Sequence, residues 1–221
     1  GQKDCPRLIS NAEGYQFLRE MAVKWNAIYS KILGINQATA VTCTKPSGTA
    51  GILATATAGI KYPFSPYYVR RVRFSLTDPL VGLIEKHKLL PIEPELYQVN
   101  SGMTVDTMVA SFAMPSPCVK HGWNIKHPLW APHGDLYNKT AIEQLQDFIL
   151  VSENFAEHNV STTITMKSDE IIPTREFVVE HFDRLRSVAF LTQSNHYLQM
   201  PLEAIDEKTY LHLKSQENLE G

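Results

Sequence analysis

The chain has 221 residues, 43% of them hydrophobic and 20% charged, and a formal net charge of −2. This is the composition of an ordinary globular protein, long enough for one sizeable core or two small ones. It excludes a general electrostatic attraction for nucleic acid or for an anionic membrane, so any bound anion must be held by local geometry.

No apolar run approaches the roughly 20 residues of a membrane span. The opening Gly1-Gln2-Lys3-Asp4-Cys5-Pro6 lacks a signal-peptide core. Three cysteines, Cys5, Cys43 and Cys118, are too few and too scattered for a disulfide framework or a zinc site. A cytoplasmic, reducing compartment is the expectation.

The first element is a helix. Ser10 and Glu13 have the spacing of a capping box. Phe17, Leu18, Met21, Trp25, Ile28, Tyr29 and Ile32 then recur at helical spacing as one apolar stripe, which should pack on something large. Gly34 stands where a left-handed C-terminal cap is expected. Thr39–Cys43 is a short β-branched run that reads as a strand. The stretch Thr44 to Gly48 breaks it with Pro and Gly, and the small apolar residues from Thr49 read as a short buried helix ending near Gly59. Helix, strand, turn, helix is the order of an α/β unit.

Residues 61–68 carry two prolines and three tyrosines and read as an ordered loop. Val69 to Ser75 alternates arginine with apolar residues, as a strand or an extended segment with one wet face does. Asp78-Pro79 sets an N-cap before a proline at the first helical position, opening a helix to about His87. Residues 91–105 read as irregular, and Thr107 to Met114 as a strand. Residues 115–138, with four prolines and two tryptophans, have no assignment. Thr140 and Glu143 form a second capping box, opening a helix with Ile142, Leu145, Phe148, Ile149 and Phe155 inward. Val160 to Met166 and Val188 to Leu191 read as strands, with helices near 174–185 and from about Asp206. The alternation predicts an α/β protein with parallel pairing, in one domain over residues 1–221, with no visible boundary.

Where a strand ends in a Gly-containing turn and a helix begins, several amides are unpaired and sit at the positive end of the helix. Such a turn accepts an anion. Gly48 admits a close backbone approach, Ser47 and Thr49 offer hydroxyls, and Lys45 offers a charge. The same residues also suit a plain turn, because the spacing is neither that of a Walker loop nor of a dinucleotide fingerprint.

Longer matches bear on that choice. Thr42-Cys43-Thr44-Lys45-Pro46-Ser47-Gly48-Thr49, Ala58-Gly59-Ile60 and Ser65-Pro66-Tyr67-Tyr68-Val69-Arg70-Arg71-Val72-Arg73 come in order. Glu153-Asn154-Phe155-Ala156-Glu157-His158-Asn159-Val160-Ser161 with Thr163-Ile164 follows, and then Asn195-His196-Tyr197 with Gln199-Met200-Pro201 and Ile205. Together they resemble the C-terminal region of the monomeric, adenosylcobalamin-dependent ribonucleoside-triphosphate reductases. The resemblance covers nearly the whole chain and is weakest over residues 100–138.

The resemblance implies part of a ten-stranded α/β barrel, with the turn of Lys45, Pro46, Ser47, Gly48 and Thr49 holding the substrate's phosphates. The strand over Val160 to Met166 would line the barrel. It implies adenosylcobalamin as cofactor, a ribonucleoside triphosphate as substrate, the N-terminal remainder of the reductase as partner, and an external thiol such as thioredoxin as reductant. In that family, cobalt–carbon homolysis generates a thiyl radical that takes the ribose 3′-hydrogen, and a cysteine pair supplies the electrons that replace the 2′-hydroxyl.

This sequence departs from the family pattern at the chemistry. The radical-loop pattern Asn-Pro-Cys-Gly-Glu is absent, Cys5 and Cys43 lack the expected neighbours, and Ser215 to Gly221 contain no shuttle cysteine. No catalytic residue is assigned to this chain, which is expected to be an inactive fragment by itself. A noncatalytic nucleotide-phosphate-binding module is the other reading.

Cys43 reads as a buried small hydrophobe, and Cys118 receives no role. His121, His127 and His133, near Trp123 and Trp130, fit no metal motif and read as loop residues. Arg70, Arg71 and Arg73 read as salt-bridge or phosphate-contact residues, and Tyr62, Tyr67 and Tyr68 as packing residues.

Overall fold

A computed structural model of the chain describes residues 1–47, 51, 54–122, 131–192 and 198–218. In chain order the helices are α1 (Ala12–Leu33), α2 (Pro79–His87), α3 (Leu96–Asn100), α4 (Pro117–Lys120), α5 (Ala141–Asn154), α6 (Ile171–Glu180) and α7 (Glu207–Lys214). The strands are β1 (Tyr67–Ser75), β2 (Ile92–Pro94), β3 (Thr107–Pro115), β4 (Thr162–Met166), β5 (Val188–Thr192) and β6 (Leu202–Ile205). A 3-10 turn over Gln2–Asp4 precedes them.

Contacts divide the chain into two compact units, Gly1–Pro63 with Asn124–Ser194, and Phe64–Trp123 with Asn195–Gly221. Each unit is assembled from two separated stretches. No linker composition marks the passage between them, which is why the sequence shows no boundary.

In the first unit, α1 starts one residue later than its cap was expected. Ser10 has φ 55°, and the Asn11 side chain accepts the Gly14 N–H at 2.9 Å. The C-terminal end follows expectation, with Gly34 left-handed at φ 68°. The helix buries Tyr15 completely, tilted against Phe155 at 5.9 Å between ring centroids. The rest of its apolar stripe stands open: Phe17, Trp25, Tyr29 and Ile32 are all exposed.

The capping box of α5 forms as read. The Thr140 hydroxyl accepts the Glu143 N–H at 3.2 Å, and the Glu143 carboxylate accepts the Thr140 N–H at 2.8 Å. Its inward residues Phe148, Ile149 and Val151 join Tyr15, Ile60, Ala156 and Val160 in the core. A second cluster joins Ala141 and Leu145 to Ile164 of β4. β4 and β5 pair in parallel, Thr162 opposite Val188 through Met166 opposite Thr192, with α6 between them in the chain. This is the one parallel pairing among the described residues.

The second unit corrects the parallel expectation. Its four strands run in the order β2-β3-β1-β6, every pairing antiparallel. β1 and β3 pair over their full lengths, from Tyr67 opposite Pro115 to Ser75 opposite Thr107. Ile84 of α2 packs with Leu90 and Ala110 beneath this sheet. β2 and α3 occupy the stretch read as irregular. They are three and five residues long, and such short segments have no periodicity of their own; pairing with β3 makes β2 a strand.

Gln199 supports β6 at φ 55°. Its side-chain oxygen accepts the Leu96 N–H at 2.8 Å, and its amide donates to Glu93 at 2.8 Å and to the Pro94 carbonyl at 3.0 Å. Arg71 pairs with Glu203 at 2.6 Å and Arg73 with Glu95 at 2.6 Å. Two of the three arginines of β1 are thus committed to salt bridges. The chain is α/β, as expected; the described strands form two separate sheets and not a closed barrel.

Candidate functional site

Thr42 and Thr44 are buried and Cys43 between them is exposed, the alternation of an extended chain. Yet residues 40–47 carry no strand assignment, which corrects the strand expected over Thr39–Cys43. The reason lies in where the amides go. The Val41 and Thr42 N–H groups donate to one carboxylate oxygen of Glu157, at 2.6 and 3.3 Å, in place of a neighbouring strand. In return the Glu157 and His158 N–H groups donate to the Thr42 carbonyl at 3.0 and 3.2 Å. The Ser161 N–H donates to the Thr44 carbonyl at 3.1 Å, and the Thr42 hydroxyl to the Phe155 carbonyl. The fold therefore joins two segments that the resemblance identified separately, 42–49 and 153–161. Exposure of Cys43 also overturns its reading as a buried small hydrophobe.

The opposite flank is held by the first residues of the chain. The Gln2 N–H donates to the Gly59 carbonyl at 3.1 Å and its side-chain amide to the Thr44 hydroxyl at 3.0 Å. The Asp4 carboxylate accepts both the Thr57 N–H, at 2.7 Å, and the Thr57 hydroxyl, at 2.9 Å. Gly59 has φ 57°, and a Cβ there would stand 3.3 Å from the Lys45 carbonyl oxygen. A glycine is required at this approach on both counts.

Between the two flanks lie Lys45 and Pro46, both exposed, and Ser47. The Ser47 hydroxyl accepts the N–H of Gly51 at 2.8 Å. Gly48 and Thr49 lie outside the described residues. Gly51 is helical, but Ala54 and Thr55 already form a turn closed by the Ala56 N–H on the Gly51 carbonyl at 2.7 Å. The helix expected to reach Gly59 therefore stops earlier.

Beneath this assembly sits a charged cluster in the core. Lys3, fully buried, pairs with Asp147 of α5 at 2.8 Å, and the Tyr62 hydroxyl donates to the same carboxylate. The Lys3 ammonium also lies 5.2 Å from the centre of the Tyr62 ring, within cation–π range. Burial lowers the pKa of Lys3, opposed by the Asp147 charge. Burial raises the Tyr62 and Tyr15 hydroxyls far above their ordinary 10.0, and Asp147 adds to both shifts. The Val41 amide beside it holds the Glu157 carboxyl below its ordinary value, with the Thr42 amide and Arg19 acting in the same sense.

Other singled-out residues stand apart. Cys5, Cys43 and Cys118 are not joined in disulfides, and Cys118 is buried. His121 is exposed, whereas His127, Trp123 and Trp130 lie outside the described residues, as do Asn195, His196 and Tyr197. No group of three potential metal ligands occurs among the described residues, and no described helix is long and apolar enough to cross a membrane. Tyr67 stacks on Tyr210 with centroids 4.7 Å apart, and Tyr68 meets Phe64 edge-on.

The bracing residues Gln2, Asp4, Asp147 and Glu157 were not singled out by sequence reasoning. Glu157 lies more than a hundred residues from the amides it accepts, so no local pattern reports it. Its only signal was membership of the matched segment 153–161.

No model of a known protein family matches the chain. Individual relatives do. The adenosylcobalamin-dependent ribonucleoside-triphosphate reductase of Lactobacillus acidophilus is 29% identical over 189 residues, covering 82% of this chain and 22% of its own length. That of Levilactobacillus brevis is 26% identical and that of Euglena gracilis 28% identical, covering 89% and 90% of this chain and 24% of each relative. A crystal structure of a B12-dependent (class II) ribonucleotide reductase superposes with a TM-score of 0.70 at 25% identity, over 93% of this chain and 27% of that one. The chain thus spans about a quarter of the length of the relatives it matches. Over most of its length it is similar to a partial region of the adenosylcobalamin-dependent ribonucleoside-triphosphate reductases.

Proposed function

We propose that this chain works as the C-terminal portion of a cytoplasmic, adenosylcobalamin-dependent ribonucleoside-triphosphate reductase, and that Lys45, Pro46, Ser47, Gly48 and Thr49 hold the triphosphate of the substrate. The observation that carries the reading is the double brace around that turn. Thr42 and Thr44 are tied to residues 155–161 on one side, and Thr44, Thr57 and Gly59 to residues 2–4 on the other. Backbone amides grip an oxyanion well only when they are held in place before it arrives. Ser47 has its oxygen engaged by the Gly51 N–H, leaving its hydroxyl hydrogen for a phosphate oxygen, and Lys45 stands exposed beside it.

On this reading residues 1–221 are a portion of one catalytic domain, and β4 and β5 belong to its ten-stranded α/β barrel. Two parallel strands are too few to stand alone, and parallel sheets are normally covered on both faces. Phe190 and Leu191 of β5 are exposed, as strands do when the rest of their sheet comes from elsewhere in the polypeptide. The N-terminal remainder of the reductase would supply the radical and reducing cysteines, and an external thiol such as thioredoxin would restore them.

The grooves among the described residues do not by themselves fit the corrinoid cofactor. Two hollows among the described residues are open grooves of about 560 and 480 Å³, one lined by α1 with Glu153, Asn154 and Glu157, the other by residues around Leu90 with Gln216. Neither groove encloses a macrocycle.

The test combines the chain with a complementary portion carrying the Asn-Pro-Cys-Gly-Glu loop and measures deoxynucleotide formation. Gly48→Val is expected to raise the apparent KM for the ribonucleoside triphosphate at least tenfold; an unchanged KM would sink the phosphate role. The alternative, a noncatalytic phosphate-binding module, draws on the absence of that loop pattern from this sequence. It predicts phosphate binding with no deoxynucleotide formed in any combination.

A further inference from the structure

We propose that Glu157 is a positioning residue for the phosphate turn, its carboxylate holding the Val41 and Thr42 amides and thereby the backbone that runs into Lys45–Thr49. The inference rests on the reading of that turn as the substrate-phosphate site and adds a residue that never touches the phosphate.

The geometry is unusual for a surface glutamate. One oxygen, Oε2, takes two consecutive main-chain N–H groups, at 2.6 and 3.3 Å. The nearest cation, Arg19, is 3.6 Å from the other oxygen and is itself 40% exposed. The carboxylate thus serves the backbone first and the ion pair second. Its own N–H and that of His158 donate to the Thr42 carbonyl. The Thr42 residue is therefore gripped at its N–H by the Glu157 side chain and at its C=O by the Glu157 backbone. Its hydroxyl, donating to the Phe155 carbonyl, gives a third hold. No other residue in the described part of the chain contributes both main-chain and side-chain holds to this lead-in.

The charge argues in the same direction. A carboxylate free to approach a phosphate would repel it. Here two amides absorb the negative charge, and the side chain is engaged three residues before Lys45. Its contribution to phosphate binding must then pass through backbone placement, which tunes affinity by keeping the turn's amides aimed before the ligand arrives. Removing the carboxylate leaves two donors of the lead-in without their acceptor.

The experiment uses the full chain and inorganic tripolyphosphate as probe, with affinity from calorimetric titration and location from the amide NMR shifts of Ser47 and Thr49. Glu157→Ala is expected to weaken binding about tenfold, the scale of one donor left unsatisfied. Glu157→Gln keeps a carbonyl acceptor of the same reach, and is expected to lose about threefold with an unchanged melting temperature. Arg19→Ala is expected to bind as the parent does. Rescue by glutamine at constant melting temperature separates placement of the turn from general stability. Equal affinity of the parent and both Glu157 variants overturns the inference while leaving the phosphate turn standing. Absence of binding by the parent chain overturns the phosphate turn and the inference with it. If Glu157→Ala does not fold, Glu157→Gln decides: a threefold loss supports the role, and none removes it.

Discussion

Gly59 packs closely against the start of the turn. Its left-handed backbone and its approach to Lys45 and Pro46, whose atoms a Cβ would meet at 3.3–3.4 Å, oppose any side chain. Gly59→Ala is expected to cost about 1–2 kcal/mol through the left-handed conformation alone, read from urea unfolding. The buried Lys3–Asp147 pair is a larger liability. Asp147→Ala would leave Lys3 charged and unpaired in the core and would deprive the Tyr62 hydroxyl of its acceptor. A loss of roughly 3–5 kcal/mol is expected, and an unchanged unfolding midpoint would show that the pair is not buried as described.

The same cluster fixes an alkaline response. In the unfolded chain Tyr15 and Tyr62 ionise near 10, whereas burial keeps both protonated in the folded state well above that. Above pH 10 the folded state therefore binds more protons, and stability falls by up to about 1.4 kcal/mol per pH unit for each tyrosine. Lys3 acts with the opposite sign. Its folded pKa is lowered, so between that value and 10.5 the folded state binds fewer protons and stability rises with pH. Urea midpoints measured from pH 8 to 12 are expected to fall above pH 10, and more shallowly in Tyr62→Phe.

At the scale of elements, α5 is the strut of its unit. It carries the capping box, Asp147 and the core residues Leu145, Phe148 and Val151. Thr140→Ala is expected to cost about 1 kcal/mol, the ordinary worth of such a cap, with Thr140→Ser nearly neutral. Helix α1 presents the opposite case. Its stripe was legible from spacing, and it does form a helix, but Phe17 and Ile32 remain 60% and 70% exposed. Exposed apolar patches of this kind mark an interface. On the proposed reading, the N-terminal remainder of the reductase would cover this face. The isolated chain is expected to bind a hydrophobic dye, and to lose that binding when the complementary portion is added.

At the scale of the whole molecule, the chain is expected to form no deoxynucleotide when supplied alone with adenosylcobalamin and a ribonucleoside triphosphate. Turnover by the purified chain would overturn its reading as a portion of the enzyme. The relatives account for the fold over 93% of this chain, but the radical-loop pattern is absent from its sequence. Binding and chemistry are thus expected to separate between two portions, and mixing them is expected to restore both.

The sequence by itself determined the elements whose signals are local. Asp78-Pro79 and Thr140 with Glu143 opened helices where they stood, because a cap is satisfied within a few residues of itself. Gly34 ended α1 for the same reason. The long strands β1 and β3 were visible in their composition, and ordered matches along the chain identified the relatives. Tertiary structure alone decided the rest. Thr39–Cys43 has strand composition but found a carboxylate where a partner strand would be, so it stayed extended and left Cys43 outside. Strand β2 exists only through its pairing with β3, and the second unit's sheet is completed by β6, which joins β1 from a distant part of the chain. The phosphate turn was legible as a turn in the sequence. That Glu157 and Asp4 brace its two flanks was not, since hydrogen bonds between residues far apart in sequence leave no periodicity to read.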